Sequence, residues 1–523
     1  MGEYESNKGE VMAGNVGNVE NKPIQAKMVR RRKPEVLAPA GSLRSLKTAI
    51  DFGVDAVYCG GKEFGMRSAP KNLSMDDLKA GAAYAHERGA RVYVTCNVLP
   101  HNNEVEDIKT YIAHLAQTGI DALIVTDIGV MMAAHSIAPQ LELHVSTQAG
   151  VTNYLAANAL YELGARRVVL ARELDLQAIR DIRANIPEDM DIECFVHGSM
   201  CMAFSGRCLI SNYMNGRDAN HGECSQPCRW KYHVVEEKRP GQFFPVEESD
   251  EGTFLFNSQD MCMLDHLDDM IDAGATSLKI EGRAKSAYYV ASMANAYKCA
   301  VNEYMVQRGF EDREGNQLKP FHDMVRRSDV VRVTKAVSQL ESSGSIGFHG
   351  VQSAGAEAAA KTTISASVLA LVGEEATKAQ GYAEPKSVEL PQWLKDEPYK
   401  VSHRDYSTGF YYPEHKAGQN TDRGGYFRDW LVVGEVIGYD EATQRLTLMS
   451  RNKIEPGQLI EFLIPGREPI DYTVAAGGME DADDQSVEEI NNPAHVFSMP
   501  LPFAVPEHSM IRSHAKQRTL KAE

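Results

Sequence analysis

DFGVDAVYCG, residues 51–60, runs from the end of a helix into a buried strand, and the same join recurs along the chain. The further copies are ERGARVYVTC (87–96), QTGIDALIVTD (117–127), ELGARRVVLA (162–171) and DAGATSLKIEG (272–282). In each, a Gly stands where a helix would end in the left-handed conformation, which Gly adopts at little cost. These are Gly53, Gly89, Gly119, Gly164 and Gly274. The apolar run after each Gly has the character of a parallel strand buried on both faces. Apolar runs predict strands at 35–39, 56–60, 91–97, 122–127, 141–147, 167–172, 191–197 and 276–281, with helical stretches between most of them. Eight parallel strands alternating with helices predict an α/β fold of the TIM-like (β/α)8 barrel class. An open doubly wound sheet is the competing architecture, but no Gly-x-Gly-x-x-Gly turn follows the first strand.

Around this repeat the chain divides by composition. Residues 1–28 are rich in Gly, Asn and Glu, lack periodicity and are expected to form a disordered tail. The barrel is expected over 29–310, with a long excursion at 198–275 between its seventh and eighth strands. Residues 311–386 hold an Ala/Ser/Gly-rich tract and read as a partly disordered insertion. A connector (387–429) leads to short strands with turns over 430–515, which predict a small antiparallel β-barrel.

The net charge of −17 favours solubility and argues against indiscriminate binding to nucleic acid, without excluding a local basic face. No apolar run is long enough to span a bilayer, and the N-terminal residues hold no apolar signal core. A cytoplasmic chain with no membrane partner is expected. There its nine cysteines would be thiols. Cys59, Cys96, Cys194, Cys262 and Cys299 fall within apolar segments and suit packing.

The other four, Cys201, Cys208, Cys224 and Cys228, lie among turn residues in the spacing C-x6-C-x15-C-x3-C. Structural zinc usually takes tight C-x2-C knuckles, and none is present. An iron–sulfur cluster suits this looser cage better than zinc does, and four unligated thiols are the third reading. Cys194 and His197 stand near enough to replace one ligand but are taken first as strand residues.

In a TIM-like barrel, chemistry gathers at the C-terminal ends of the strands. Polar residues are frequent at those predicted ends. Arg172, Glu173, His144, Glu281 and Arg283 are the catalytic candidates, and Tyr58, Asn97, Gln148, Lys279 and Lys285 the substrate-binding ones. Glu35, Asp127 and His197 are placed on the same rim. Singly, each residue could merely cap a helix or form an ion pair. Together, Arg172, Lys279, Arg283 and Lys285 suit a small carboxylate metabolite, because a guanidinium grips a carboxylate in a two-pronged fork. Hydrolase machinery is poorly represented. His86-Glu87 lacks the second His of a zinc-protease helix, and no Gly-x-Ser-x-Gly elbow is present. A thiol protease pairing Cys201 with His197 or His144 would leave three cysteines without a role.

The segments LAPAGSLRSLKTAIDFGVDAVYCGGKEFGMR (37–67), ECFVHGSMC (193–201), GRCLIS (206–211), SLKIEGRAKS (277–286) and SHRDYSTGFYY (402–412), with the β module from Trp430, resemble the collagenase-like peptidase family U32. Within it the chain looks most like the tRNA-hydroxylation branch. That resemblance implies prephenate-dependent formation of 5-hydroxyuridine at the tRNA wobble position, with prephenate as co-substrate and the tRNA anticodon loop as partner. It also implies a [4Fe-4S] cluster held by Cys201, Cys208, Cys224 and Cys228, and a C-terminal module that helps to hold RNA. The alternative it carries is a U32-type peptidase.

Overall fold

Glu35 pairs with Ser277, and this register closes a ring of eight parallel strands. The computed structural model describes residues 33–65, 72–201, 208–219, 222–229, 233–234, 241, 244–245, 258–310, 318, 387–415 and 426–515. The expected tail (1–28) and, Leu318 aside, the expected insertion (311–386) lie outside them. In chain order the barrel runs β1 (Glu35–Ala40), α1 (Leu43–Asp51), β2 (Ala56–Gly60), α2 (Met75–Glu87), β3 (Arg91–Cys96), α3 (Val105–Leu115), β4 (Ala122–Val125) and α4 (Ile128–Ile137). It continues with β5 (Glu142–Val145), α5 (Tyr154–Glu162), β6 (Ala165–Val169), α6 (Leu176–Asn185) and β7 (Asp191–Ser199). The excursion after β7 carries α7 (Ile210–Asn215), a short hairpin of β8 (His233–Val234) and β9 (Phe244–Pro245), and β10 (Asp260–Cys262). Then α8 (Leu267–Asp272) and β11 (Ser277–Ile280) complete the ring, because β11 pairs with both β7 and β1. The TIM-like barrel is therefore the fold, and the open sheet is not.

Six of the helix starts have a local cause. Ser42, Ser74, Asp127, Asn153, Asp175 and Ser286 accept a hydrogen bond from the first turn of the helix that follows. Such a cap is worth about 1 kcal/mol. Asp127, placed on the rim from the sequence, is one of these caps. At the other end, Gly53, Gly89, Gly119, Gly164 and Gly274 all have positive φ, as the repeat requires. Gly274 is doubly constrained, since a Cβ there would lie 2.5 Å from Cγ of Arg183.

The strands' outer faces (Val36, Val57, Val94, Leu123, Val145, Ile192, Leu278 and their neighbours) pack under the helices in one core. Burying each large apolar side chain contributes about 1.5–3 kcal/mol. The inner face differs from expectation. Beside a small apolar group that includes Leu37, Tyr58, Tyr93 and Ile124, it carries buried charge. Arg167 donates to Glu35 at 2.5 Å, Glu193 at 3.1 Å and Asp191 at 3.2 Å, while the Tyr93 hydroxyl donates to Glu35 at 2.7 Å. Glu35 thus sits at the N-terminal end of the barrel and not on the functional rim, because it opens β1.

Helix α9 (Ala287–Gln307) is buried on nearly every side, as a helix is when neighbours cover it all round. Its Lys298 is fully buried and neutralised by Asp55 at 2.6 Å. Beyond it come α10 (Gln392–Asp396) and β12 (Tyr406–Ser407). Strand β12 lies parallel to β10, which runs antiparallel to the end of β7, so the sheet extends past the barrel at its C-terminal rim. The strands β13 (Trp430–Asp440), β14 (Arg445–Ser450), β15 (Leu459–Leu463), β16 (Ile470–Thr473), β17 (Met479–Asp481), β18 (Ser486–Val487), β19 (Val496–Pro500) and β20 (Met510–His514) form the C-terminal module. They make one antiparallel sheet curled around Val436, Leu448, Phe462, Phe497 and Ile511. The small antiparallel β module expected from the sequence is thus present as a curled sheet, whose edge strands β16 and β18 do not pair with each other among the described residues. No described helix is long and apolar enough to cross a membrane.

Candidate active site at the barrel mouth

Alternation along β7 turns Glu193 and Phe195 into the barrel, and the turn after β6 brings Arg172 over them. The Arg172 guanidinium lies 3.7 Å from the Phe195 ring and donates through Nη1 to the Ser199 carbonyl at 2.7 Å. The side chain is buried, forms no ion pair among the described residues, and its Nε has no hydrogen-bond partner. A buried guanidinium with an unmet donor is costly unless an acceptor arrives. Across the mouth, Arg283 donates to Thr95 Oγ1 at 2.9 Å. Gly60 makes room for it, because a Cβ there would stand 2.4 Å from Arg283 Nη1.

Lys279 comes from β11 and donates to Glu193 at 2.6 Å, with its ammonium 4.3 Å from the Tyr58 ring. Burial lowers the Lys279 pKa, and Arg167 and Arg172 push it the same way against Glu193. Its charge is therefore already matched by a carboxylate. Tyr58 donates to the Ile280 carbonyl at 3.1 Å, and burial raises its phenol well above the usual value. Beside them, Gln148 Oε1 accepts from Asn97 at 2.8 Å, Thr126 at 3.0 Å and Ser146 at 3.3 Å. That network fixes which way the two amides point.

Several candidates are placed elsewhere. His144 does not reach the mouth. It is fully buried inside the barrel against Tyr93, with Nε2 3.3 Å from Glu142. The inward face of a central strand leads to the barrel's interior layers, not its rim. Burial lowers its pKa, and the nearby Arg167 does likewise. Glu173 is exposed and makes no hydrogen bond or ion pair among the described residues. Lys285 turns away from Arg172, donating to the Ser402 carbonyl at 3.1 Å and lying 4.2 Å from the Tyr426 ring. Glu281 lines the same adjoining cavity as Lys285. His197 lies beneath α9 with Nδ1 3.2 Å from the Tyr297 hydroxyl, so it is a packed strand residue rather than part of the rim.

Strand β7 also delivers the cysteines. Cys201 follows it directly, and Cys201, Cys208, Cys224 and Cys228 are all half-buried. Burial pushes the Cys208 thiol up against a hydrogen bond from the Ile210 backbone, and Cys224 and Cys201 add to the rise. Ser211 donates to Cys224 Sγ at 3.8 Å. By contrast, burial drives Cys59, Cys96 and Cys299 to about 12, which marks them as inert packing residues. Among the described residues, no group of three or more His, Cys, Asp or Glu side chains is set to hold a single metal ion.

Sequence reasoning missed Gly60, Thr95, Phe195 and Thr126. Gly60-Gly61 at the end of a strand was a usable signal for close approach, and Phe195 could have been found by counting the alternation from Glu193. Nothing local marks Thr95 or Thr126, whose partners are far away in the chain.

The chain matches the model of peptidase family U32 over residues 41–329 and that of the U32 C-terminal domain over 428–512. It is 29% identical to the tRNA hydroxylation protein P1 of Bacillus subtilis over 94% of this chain and 97% of that one. The tRNA hydroxylation protein P of Escherichia coli is 35% identical over 53% of this chain and 70% of its own length. The 23S rRNA 5-hydroxycytidine C2501 synthase of Escherichia coli is 38% identical over 54% of this chain and 41% of its own.

Proposed function

The chain belongs to peptidase family U32, and from that premise we propose that it is an iron–sulfur RNA-modifying enzyme. Its reaction is the prephenate-dependent hydroxylation of the tRNA wobble uridine to 5-hydroxyuridine. The observation that carries this reading is the buried Arg172 in the turn after β6, whose Nε has no partner among the described residues and whose Nη1 donates to Ser199 at the end of β7, the strand that leads into the four thiols. The names of the relatives, two tRNA hydroxylation proteins and an rRNA hydroxycytidine synthase, support the reaction class.

The donor set suits a [4Fe-4S] cluster. Cys201, Cys208, Cys224 and Cys228 come from one excursion, and none is sealed in the core. They would hold the cluster, which when bound supplies redox or group-transfer chemistry. The protein's own residues do the positioning. Arg172 and Arg283 clamp the carboxylates of the small co-substrate, and Lys279 with Glu193 sets the charge beneath it. Asn97 and Gln148, held by Thr126 and Ser146, orient its polar edge. Phe195 and Tyr58 close the floor against water. The pyrimidine enters unstacked, which costs little in a single-stranded anticodon loop.

The peptidase alternative draws on the family name. Both histidines it would need have other partners: His144 is engaged by Glu142 and His197 by Tyr297.

The test is nucleoside mass spectrometry of tRNA from cells lacking the gene, together with iron and sulfide analysis of anaerobic protein. The hydroxyuridine-derived wobble nucleoside should disappear and return with the wild-type gene but not with Arg172→Ala. The protein should absorb near ~400 nm through thiolate-to-iron charge transfer. An unchanged nucleoside profile rejects the reaction, and colourless protein with stoichiometric zinc rejects the cluster. Cleavage of denatured collagen abolished by Cys201→Ser, with iron retained, would favour the peptidase.

A further inference from the structure

A cavity of about 730 Å³ lies between the β11–α9 turn, the connector and the C-terminal sheet. Its lining includes Arg44, Lys285, Arg428 and Arg451, with Glu281 as the acidic residue among the described lining. In a chain of net charge −17 this concentration of cations runs against the composition. Lys285 makes no direct ion pair among the described residues, since Asp260, the carboxylate it influences, is already paired by Arg404, and it sits over Tyr426. Arg428 is exposed and likewise unpaired among the described residues. Arg44 and Arg451 share one carboxylate, Glu435. Four cations thus face an incompletely matched acidic charge, an arrangement that attracts an anion.

Aromatic rings alternate with these cations. Tyr288 and Tyr289 line the barrel side, and Tyr426 and Trp430 the other. Cations that track a phosphate backbone, interleaved with rings on which bases stack, are how proteins hold single-stranded nucleic acid. A duplex keeps its base faces covered and has no use for the rings. The cavity also reaches Ser199, whose carbonyl holds Arg172, and Gln226, two residues before Cys228. A strand lying here would arrive at the mouth and the cysteine excursion together.

We propose that this cleft is the seat of a single-stranded RNA segment, whose phosphates contact Arg428, Arg451 and Lys285 and whose base stacks on Tyr426. The proposal rests on the RNA-modifying reading above and names the surface that presents the substrate to it. The C-terminal module then acts as one jaw of the substrate site.

Fluorescence anisotropy of the full-length protein with labelled RNA tests it. The probes are an unstructured ten-nucleotide strand, an anticodon-type hairpin and a duplex of the same length. The single strand and the hairpin should bind at least about 10-fold more tightly than the duplex. The double variant Arg428→Ala/Arg451→Ala should lower the slope of log affinity against log salt by about 1.4, since each single-strand phosphate contact accounts for about 0.7. Tyr426→Ala should weaken binding by about 5-fold or more and Tyr426→Phe should not. Melting curves check that each variant is folded. Wild-type affinity and slope in the double variant, equal binding of duplex, or displacement of RNA by polyglutamate at matched charge would overturn the proposal. The two readings fail separately. If deletion leaves tRNA nucleosides unchanged while the variants lose RNA binding, the reaction is wrong and the cleft stands. If the double variant binds RNA as wild type and restores the lost nucleoside fully, the cleft is wrong and the reaction stands.

Discussion

His197 shows how a single residue's environment outweighs its type. A histidine four residues before a cysteine invites a ligand or base assignment, yet its ring is enclosed by Tyr289, Tyr297 and Tyr406. Burial pushes its pKa down to about 3, with Asp260 opposing and Lys285 and His403 reinforcing. The unfolded chain takes up a proton near pH 6.5 that the folded chain refuses until about 3. Stability is therefore complete above pH 6.5 and falls as the pH drops through that window. Between pH 7 and pH 5 this residue should remove about 2 kcal/mol. In urea unfolding at the two pH values, His197→Gln should flatten that loss, and an unchanged pH dependence would refute the assignment. That Cys201, Cys208, Cys224 and Cys228 are not core residues was legible, because turn residues around a thiol give it no packing role. The unpaired Nε of Arg172 was not legible, since being unpaired is a property of everything around it.

At the scale of elements, β7 is the member that joins fold to site. It runs past the barrel, gains β10 as an antiparallel neighbour at the rim, and hands the chain to the cysteine excursion. Gly198 makes this possible. It sits at φ +103°, and a Cβ there would lie 2.7 Å from the Glu281 carbonyl oxygen. Gly198→Ala should cost about 2–3 kcal/mol by combining backbone strain with a collision against main chain. Gly216→Ala, at φ +69° in open space, should cost only about 1 kcal/mol. Chemical denaturation of the two variants separates these terms, and equal losses would show that the contact with Glu281 does not matter. The strands and their order were readable because a helix-ending Gly followed by an apolar run repeats in the text of the chain. The charged inner face escaped because Arg167, Glu35 and Glu193 become partners only when the ring closes.

At the scale of the whole molecule, the C-terminal sheet docks through charge as well as through apolar contact. Arg512 of β20 is fully buried and donates to Glu397 and Glu461, while Lys400 reaches Glu461 at 3.0 Å and Ser292 of α9 donates to Glu397 at 3.0 Å. Removing one partner from such a set leaves buried charge uncompensated, at a cost of about 3–5 kcal/mol. Arg512→Met should therefore split thermal unfolding into two transitions as the sheet separates from the barrel, and a single unshifted transition would refute this coupling. The sequence by itself determined the eightfold α/β repeat, the β module after it and the turn setting of four of the nine cysteines, because periodicity, turn chemistry and composition are local properties. Only the tertiary structure decided that His144 is interior, that Lys279 is already neutralised, and that Lys285 serves a second cavity. It alone brought the cations of a strongly acidic chain to one cleft. Ion pairing and burial depend on groups tens to hundreds of residues apart, and no pattern along the chain records that distance in space.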